Sequence, residues 1–405
     1  MQTLEQRYLS PSEGSVIDLG VGSMVAQTRI RGIVEPELLR QALDALAVAY
    51  PLLRSRISRD DEGYLLRYAA GDGPSFRVVD ADDDPFALEL NTPMDREHEL
   101  ARAGLFRHNG DSVVSLAVDH SVADGRLVTT LLNTLVGYYT AQVEGRSLKP
   151  IRGHGMQPAV ETMLEEHYDI EGVPSSLRQF TPAALPRAAL GRPVPAQRFG
   201  VGHLSLDRLG TTALTQWARA SGVTMNGLLS GAVAAALSTM VEGPIAIAFP
   251  VDLRPRLRPR LPADAQLLSI GVGYAVVSST GNADVLELAR RITTQLKAGI
   301  DLALPQRTLL ARGSFDDFPS PLPMTTSISN LGELDPPTLQ AGAELRSIRF
   351  GTTVPYPVPI LFAATTDGHL GLEIVYDRTY FTDDQMTELT AGIRDGLGRS
   401  AQSRR

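Results

Sequence analysis

Residues 112–125, which read Ser-Val-Val-Ser-Leu-Ala-Val-Asp-His-Ser-Val-Ala-Asp-Gly, limit the folds open to this chain more than any other stretch. β-Branched and apolar residues over 112–118 predict a strand, which runs into a polar segment bearing one imidazole and two carboxylates and closing on a glycine. From Leu127 onward the apolar positions Val128, Leu131, Leu132, Leu135, Val136 and Tyr139 recur with a helical period and one buried face. The polar segment therefore lies at a strand-to-helix junction, where a strand end can deliver a base to the mouth of a site.

A neutral imidazole at His120 can take a proton from a hydroxyl or amine attacking a carbonyl, because its ordinary pKa lies near neutral pH. Asp124, four residues on, either orients that imidazole or turns away and pins the loop by pairing with a cation elsewhere. A solvated, hydrogen-bonded turn is the plain alternative for a His beside two Asp. A zinc site is a weaker rival, since the chain has no cysteine and no second His lies close by in sequence.

The run Asp119-His120-Ser121-Val122-Ala123-Asp124-Gly125 resembles the His-His-x-x-x-Asp-Gly motif of the chloramphenicol-acetyltransferase-like superfamily, which takes in condensation domains, plant acyl-CoA transferases and polyketide-associated acyltransferases. Three further stretches match in the expected order: Tyr50-Pro51-Leu52-Leu53-Arg54-Ser55-Arg56-Ile57, Pro250-Val251-Asp252-Leu253-Arg254 and Ser329-Asn330-Leu331-Gly332. Together they span most of the chain, and the likeness is to the polyketide-associated acyltransferases of the phthiocerol dimycocerosyl transferase group. The chain departs at Asp119, which stands where the superfamily usually carries its first His and puts a negative charge beside the proposed base.

What the resemblance implies is an α/β fold of two chloramphenicol-acetyltransferase-like domains with mixed sheets and a channel at their interface. It implies acyl transfer from a thioester, on an acyl-carrier protein or coenzyme A, to an alcohol or amine acceptor in lipid or polyketide biosynthesis. His120 then deprotonates the acceptor with no covalent acyl-enzyme, and no metal or bound cofactor is needed. The resemblance also places Arg254 against Asp124, where a guanidinium paired bidentately with a carboxylate would fix the loop carrying His120, Asp124 and Gly125. Ser329 and Asn330 either donate hydrogen bonds to an oxyanion or form a turn satisfied by its own Asn. The second reading is a module of the same fold that docks a carrier protein without catalysis.

Composition bounds these readings. The 405 residues, 43% hydrophobic, suffice for a large core and for two domains. The expected division is 1–170, carrying the motif; a linker over 171–200, interrupted by Pro174, Pro182, Pro186, Pro193 and Pro195; and 201–405. A net charge of −8 argues against nucleic acid as a partner, and the lack of cysteine excludes disulfides and a Cys nucleophile. The first seven residues lack the apolar core of a signal peptide, and the most apolar helix candidate, 228–240, falls short of the roughly 18 to 20 residues of a membrane span. The expectation is a cytoplasmic monomer without a transmembrane segment.

Arg256, Arg258 and Arg260 alternate with Pro and Leu, as a solvated turn or as a docking patch for an acidic carrier protein or for coenzyme A phosphates. Strands are predicted at 24–30, 64–68, 76–79, 103–107, 202–206, 245–251, 267–277, 324–330 and 343–350. Hairpins are expected through Asn109-Gly110 and through Asp367-Gly368, the latter making His369 a turn residue. A helix should start at Glu35 and Pro36, Asp207, Thr224 and Thr382 should cap later helices, and the acidic run 80–84 should be a solvated loop. Gly227, Gly231 and Ala232 should let the helix after Thr224 pack closely.

Overall fold

The structure, a computed structural model, describes residues 6–68, 72–147, 155–170, 181–188, 195–278, 284–312 and 323–402. The chain forms two compact units. The first takes Met1–His167 with Asp252–Ser269 and Asp335–Thr353; the second takes Tyr168–Val251, Ile270–Leu334 and Val354–Arg405. These differ from a division at 170 and 201 in the two later segments that belong to the first unit. Most of the expected linker, 171–180 and 189–194, lies outside the described residues.

Strands are numbered along the chain. The first unit contains β1 (Gln6–Tyr8), β2 (Met24–Arg31), β3 (Arg56–Asp60), β4 (Gly63–Arg67), β5 (Ser75–Asp80), β6 (Ala101–His108), β7 (Asp111–Val118) and, from a later segment, β12 (Glu344–Gly351). They make a three-stranded sheet ordered β1-β4-β3 and a five-stranded sheet ordered β12-β2-β7-β6-β5, mixed because β5 runs parallel to β6. β7 is central and buried along nearly its whole length, as its continuous apolar run requires. Asn109 and Gly110 join β6 to β7 with φ of 51° and 79°, the left-handed pair that a tight two-residue hairpin needs.

Helices of this unit include α1 (Pro11–Asp18), α2 (Pro36–Ala49), α3 (Pro85–Leu90) and α4 (Gly125–Val143), of which α4 starts at the motif. Leu39, Leu43 and Leu46 of α2 and Leu131, Leu132 and Leu135 of α4 are buried where the two helices pack together. In the acidic run Asp80, Asp82 and Asp83 are exposed, as expected of a solvated loop, whereas Asp84 is half-buried. Asp84 caps α3 through the Phe86 amide and pairs with Arg349 of β12 at 2.7 Å. Predicted as part of the C-terminal half, β12 instead lies antiparallel to β2, with Ile348 opposite Thr28.

The second unit contains β8 (Phe199–Leu206), β9 (Pro244–Asp252), β10 (Ile270–Ser278), β11 (Thr326–Leu334), β13 (Ile360–Thr366) and β14 (His369–Asp377) in one sheet ordered β10-β9-β11-β13-β14-β8. β11 runs parallel to β9 and β13, whereas β13, β14 and β8 are antiparallel, so this sheet is mixed as well. Asp367 and Gly368 form the expected hairpin turn, and His369 is exposed with Nδ1 against the Asp367 carbonyl. One face of the sheet, including Ile247, Ile328, Leu361 and Leu372, packs on the helices Met225–Leu237, Val285–Asp301 and Asp383–Gln402. Asp207, Thr224 and Thr382 accept the expected capping bonds from Gly210, Gly227 and Gln385. Among the described residues no single helix is long and apolar enough to cross a membrane.

Glycine spacing explains the close approach of two of these helices. A Cβ on Gly231 would sit 2.4 Å from the Val285 carbonyl oxygen and 2.9 Å from the Ala289 nitrogen, both backbone atoms that cannot swing away. A Cβ on Gly137, in α4, would meet nothing within 4 Å. Gly137→Ala is therefore expected to stabilise by about 0.5 to 1 kcal/mol through helix propensity. Gly231→Ala gains the same propensity but overpacks the interface at a cost of about 1 to 3 kcal/mol, giving net destabilisation. Urea midpoints of the two variants should move in opposite directions, and a stabilised Gly231→Ala protein would contradict the packing described.

Candidate active site

The turn after β7 is built by its own polar groups. The Asp119 amide donates to Leu100 O at 2.8 Å, continuing the ladder one residue beyond Val118. Its carboxylate then turns back, Oδ1 accepting from the Ser121 amide at 3.0 Å and the Ser121 hydroxyl at 2.6 Å, while its carbonyl accepts from the Val122 amide. This tight turn lifts a single side chain out of the interior. From Ser112 to Gly125 every residue is buried except His120, which is half-buried.

The His120 imidazole is held by a main-chain group. Nδ1 lies 2.7 Å from Ala123 O. A carbonyl only accepts, so Nδ1 carries the proton and Nε2 presents its lone pair. The sequence offered Asp124 as one candidate for orienting the imidazole; the atom that does so is a carbonyl three residues on, for which no residue type is a signal.

Asp124 takes the other course. Oδ1 caps α4 by accepting from the Leu127 amide at 3.0 Å, and Oδ2 accepts from Arg254 Nη1 at 2.8 Å and from the Ser269 amide at 3.0 Å. Gly125 opens α4, buried, with its carbonyl taking the Thr129 hydroxyl at 2.7 Å. The carboxylate thus ties the start of α4 to the segment after β9.

Arg254 is buried with its charge. Its side chain is 1% exposed; Nη1 reaches Asp124 and also Asp252 Oδ1 at 3.2 Å, while Nη2 donates to Leu267 O at 2.8 Å and Ala265 O at 3.3 Å. Burial pulls the guanidinium pKa down, but the Asp124 and Asp252 carboxylates outweigh it and hold the group above its ordinary value. The expected bidentate fork on Asp124 is not formed. One nitrogen serves two carboxylates and the other serves carbonyls, so Arg254 organises the 252–269 segment as well as Asp124.

Asp119, fully buried, directs its second oxygen at Arg96, with Nε to Oδ2 at 2.7 Å in a close ion pair that lacks the alignment of a hydrogen bond. The sequence marked the charge at 119 and had no signal for Arg96 as its partner.

Ser329 and Asn330 lie on β11 in the second unit. Alternation along a strand sends their side chains to opposite faces. Asn330 Nδ2 donates to Asn226 Oδ1 at 3.1 Å on the helical side, and Oδ1 accepts from the Gly332 amide at 2.8 Å, where Gly332 has φ of 72°. β11 does not end at Leu331-Gly332 as expected; its register with β13 shifts between Asn330 and Glu333, and the strand continues to Leu334. Asn330 is thus committed to its own bulge, the plainer of the two readings the sequence left open.

Of the basic cluster, Arg256 is half-buried and folds back to donate to Asp252 O at 2.8 Å, while Arg258 and Arg260 are exposed. The prolines therefore hold out two arginines rather than three. No group of three or more His, Cys, Asp or Glu among the described residues could hold a metal ion.

Residues 195–381 match the family described as phthiocerol/phthiodiolone dimycocerosyl transferase C-terminus. The chain is 25% identical over 368 residues to the phthiocerol/phthiodiolone dimycocerosyl transferase of Mycobacterium leprae (strain TN), covering 85% of this chain and 86% of that protein. Its fold is similar to polyketide synthase associated protein 5 from Mycobacterium tuberculosis, with a TM-score of 0.78, 23% identity and 98% of each chain covered. It is also similar to the first condensation domain of the calcium-dependent antibiotic synthetase, with a TM-score of 0.75, 16% identity, and coverage of 99% of this chain and 97% of that one.

The bonds made by Arg254 lead to a stability prediction. Arg254→Met should destabilise the protein by about 3 to 5 kcal/mol, because it strands the buried Asp124 carboxylate. Adding Asp124→Asn should recover part of that loss, giving a coupling of about 1 kcal/mol or more in a double-mutant cycle followed by urea unfolding. Strictly additive losses would show that the pair does not act as a unit.

Proposed function

We propose that this chain, an acyltransferase similar to the phthiocerol/phthiodiolone dimycocerosyl transferases, moves an acyl group from a thioester on an acyl-carrier protein or coenzyme A to an alcohol or amine in lipid or polyketide biosynthesis. The observation that carries this reading is the imidazole of His120, half-buried at an otherwise buried turn, with Nδ1–H bound to Ala123 O and Nε2 left as a base. The acceptor O–H or N–H gives its proton to Nε2 as the oxygen or nitrogen bonds to the acyl carbon. The C–S bond then breaks, and the imidazolium returns the proton to the departing thiolate. Atoms and charge balance without a covalent acyl-enzyme or a cofactor.

In this reading Asp124, Gly125 and Arg254 keep the turn in place and do not touch the reacting atoms. The exposed Arg258 and Arg260 offer local positive charge to an acidic carrier protein on a chain whose net charge is −8. Ser329 stays a candidate hydrogen-bond donor to an oxyanion. Asn330 is a weaker one, since its carbonyl is used by Gly332 and one amide hydrogen by Asn226.

The test is release of free thiol from octanoyl-coenzyme A with and without 1-hexanol. His120→Ala and His120→Gln should each lower kcat by about 10²- to 10⁴-fold, the usual contribution of a general base, while the urea midpoint stays close to that of the parent. Near-parental turnover in either variant would refute the base assignment, and an inactive parent with every thioester donor tried would favour a carrier-docking module.

Docking is tested separately. Arg258→Glu with Arg260→Glu should raise KM for a carrier-bound octanoyl donor about three- to tenfold and leave turnover of the short free thioester octanoyl-N-acetylcysteamine unchanged. Equal loss with both donors would point to a folding defect, and no loss with either would make the two arginines an ordinary solvated turn.

A further inference from the structure

We infer that Arg96 and Asp119 form a positioning pair for His120, in which the carboxylate preceding the base acts together with Arg96 as one electrically neutral unit. The inference rests on the reading of His120 as the base and adds two residues to it.

A carboxylate at position 119 poses a physical problem. It is fully buried, and its backbone is continuous with His120. An unpaired buried carboxylate either takes up a proton or draws in compensating groups, and either would disturb the turn. The structure meets the problem by dividing the two oxygens. Oδ1 is saturated by the Ser121 amide and hydroxyl, which sets the curvature of the turn, and Oδ2 faces the Arg96 guanidinium at 2.7 Å.

Arg96 is suited to this task because its own segment is anchored. Its carbonyl accepts from the Ile57 amide of β3 at 2.9 Å, and Nη2 reaches Val21 O at 3.4 Å. Its side chain is 26% exposed, so water can solvate the outer part of the guanidinium while the inner nitrogen serves Asp119. The pair is therefore asymmetric. Without Arg96 the buried carboxylate has no ion-pair partner among the described residues; without the Asp119 charge, Arg96 still has solvent.

That asymmetry sets the experiment, run on the full chain with octanoyl-coenzyme A and 1-hexanol. Arg96→Met should lower kcat by about 10- to 100-fold with KM for octanoyl-coenzyme A within about threefold of the parent, as expected when a base is misplaced and donor binding is left intact. Asp119→Asn, which keeps an Oδ1 acceptor for Ser121, should cost about three- to tenfold in kcat. The double variant should match Asp119→Asn alone, because removing the stranded charge relieves the damage done by Arg96→Met. A role confined to packing would make the two effects on kcat multiply.

Arg96→Met with parental kcat, or a double variant no better than Arg96→Met, would overturn the inference. If Arg96→Met fails to fold by circular dichroism, the double variant carries the test alone, since it strands no charge. It should match Asp119→Asn in kcat within about twofold, and a further loss of about tenfold or more would refute the pair. All these variants keep His120, so their outcome is read independently of whether His120→Ala abolishes transfer.

Discussion

A guanidinium with 1% of its side-chain surface exposed is costly to hold in a protein interior, and the organisation of this site follows from how that cost is met. Arg254 faces two carboxylates and two carbonyls, drawn from residues 124, 252, 265 and 267. Asp124 in turn accepts from the Leu127 and Ser269 amides, so one carboxylate sits between a helix N-terminus and a buried cation. Removing either member of the pair would strand a charge. The arrangement therefore persists as a unit, and the start of α4 is held to the 252–269 segment wherever that segment goes.

On this foundation the turn from Asp119 to Ala123 works through short-range bonds. Asp119 and Ser121 curve the chain, and Ala123 O binds the imidazole. Asp119 Oδ1, the Ser121 hydroxyl and Ala123 O find their partners within a few residues, and the remaining carboxylate oxygen of Asp119 faces Arg96, so the turn can present one basic nitrogen. The division of labour is clear in the carboxylates. Both Asp119 and Asp124 are spent on architecture and paired with arginines, which leaves the imidazole without a carboxylate partner among the hydrogen bonds made in the turn.

Much of the local structure was legible. Strand β7, the Asn109-Gly110 hairpin and the caps at Asp207, Thr224 and Thr382 all sit where the residues place them, because their determinants lie within a few positions of each other. The readings that needed revision depend on distant partners. β12 lies beside β2 across some three hundred residues of sequence, Asp84 leaves the otherwise exposed acidic run to bind Arg349, and the short-range bond of Arg256 to Asp252 O, with the segment folded around it, keeps that arginine from extending with its neighbours. For Asn330 the alternatives were already open in the residues, and the bulge after it favours the turn.

By itself the sequence determined that a strand would run into a turn bearing His120 and then into an amphipathic helix, since β-preference, helical period and a capping carboxylate are properties of neighbouring residues. It also carried the motif resemblance that pointed to Arg254. Only the tertiary structure decided what each polar group meets. Every residue has a carbonyl, so nothing in the letters marks Ala123 O as the partner of the imidazole, and Arg96 is one of many arginines until the fold sets it against Asp119. Arg254 and Asp124 lie 130 residues apart, and the burial that turns their attraction into a structural constraint exists only once the chain has closed around them.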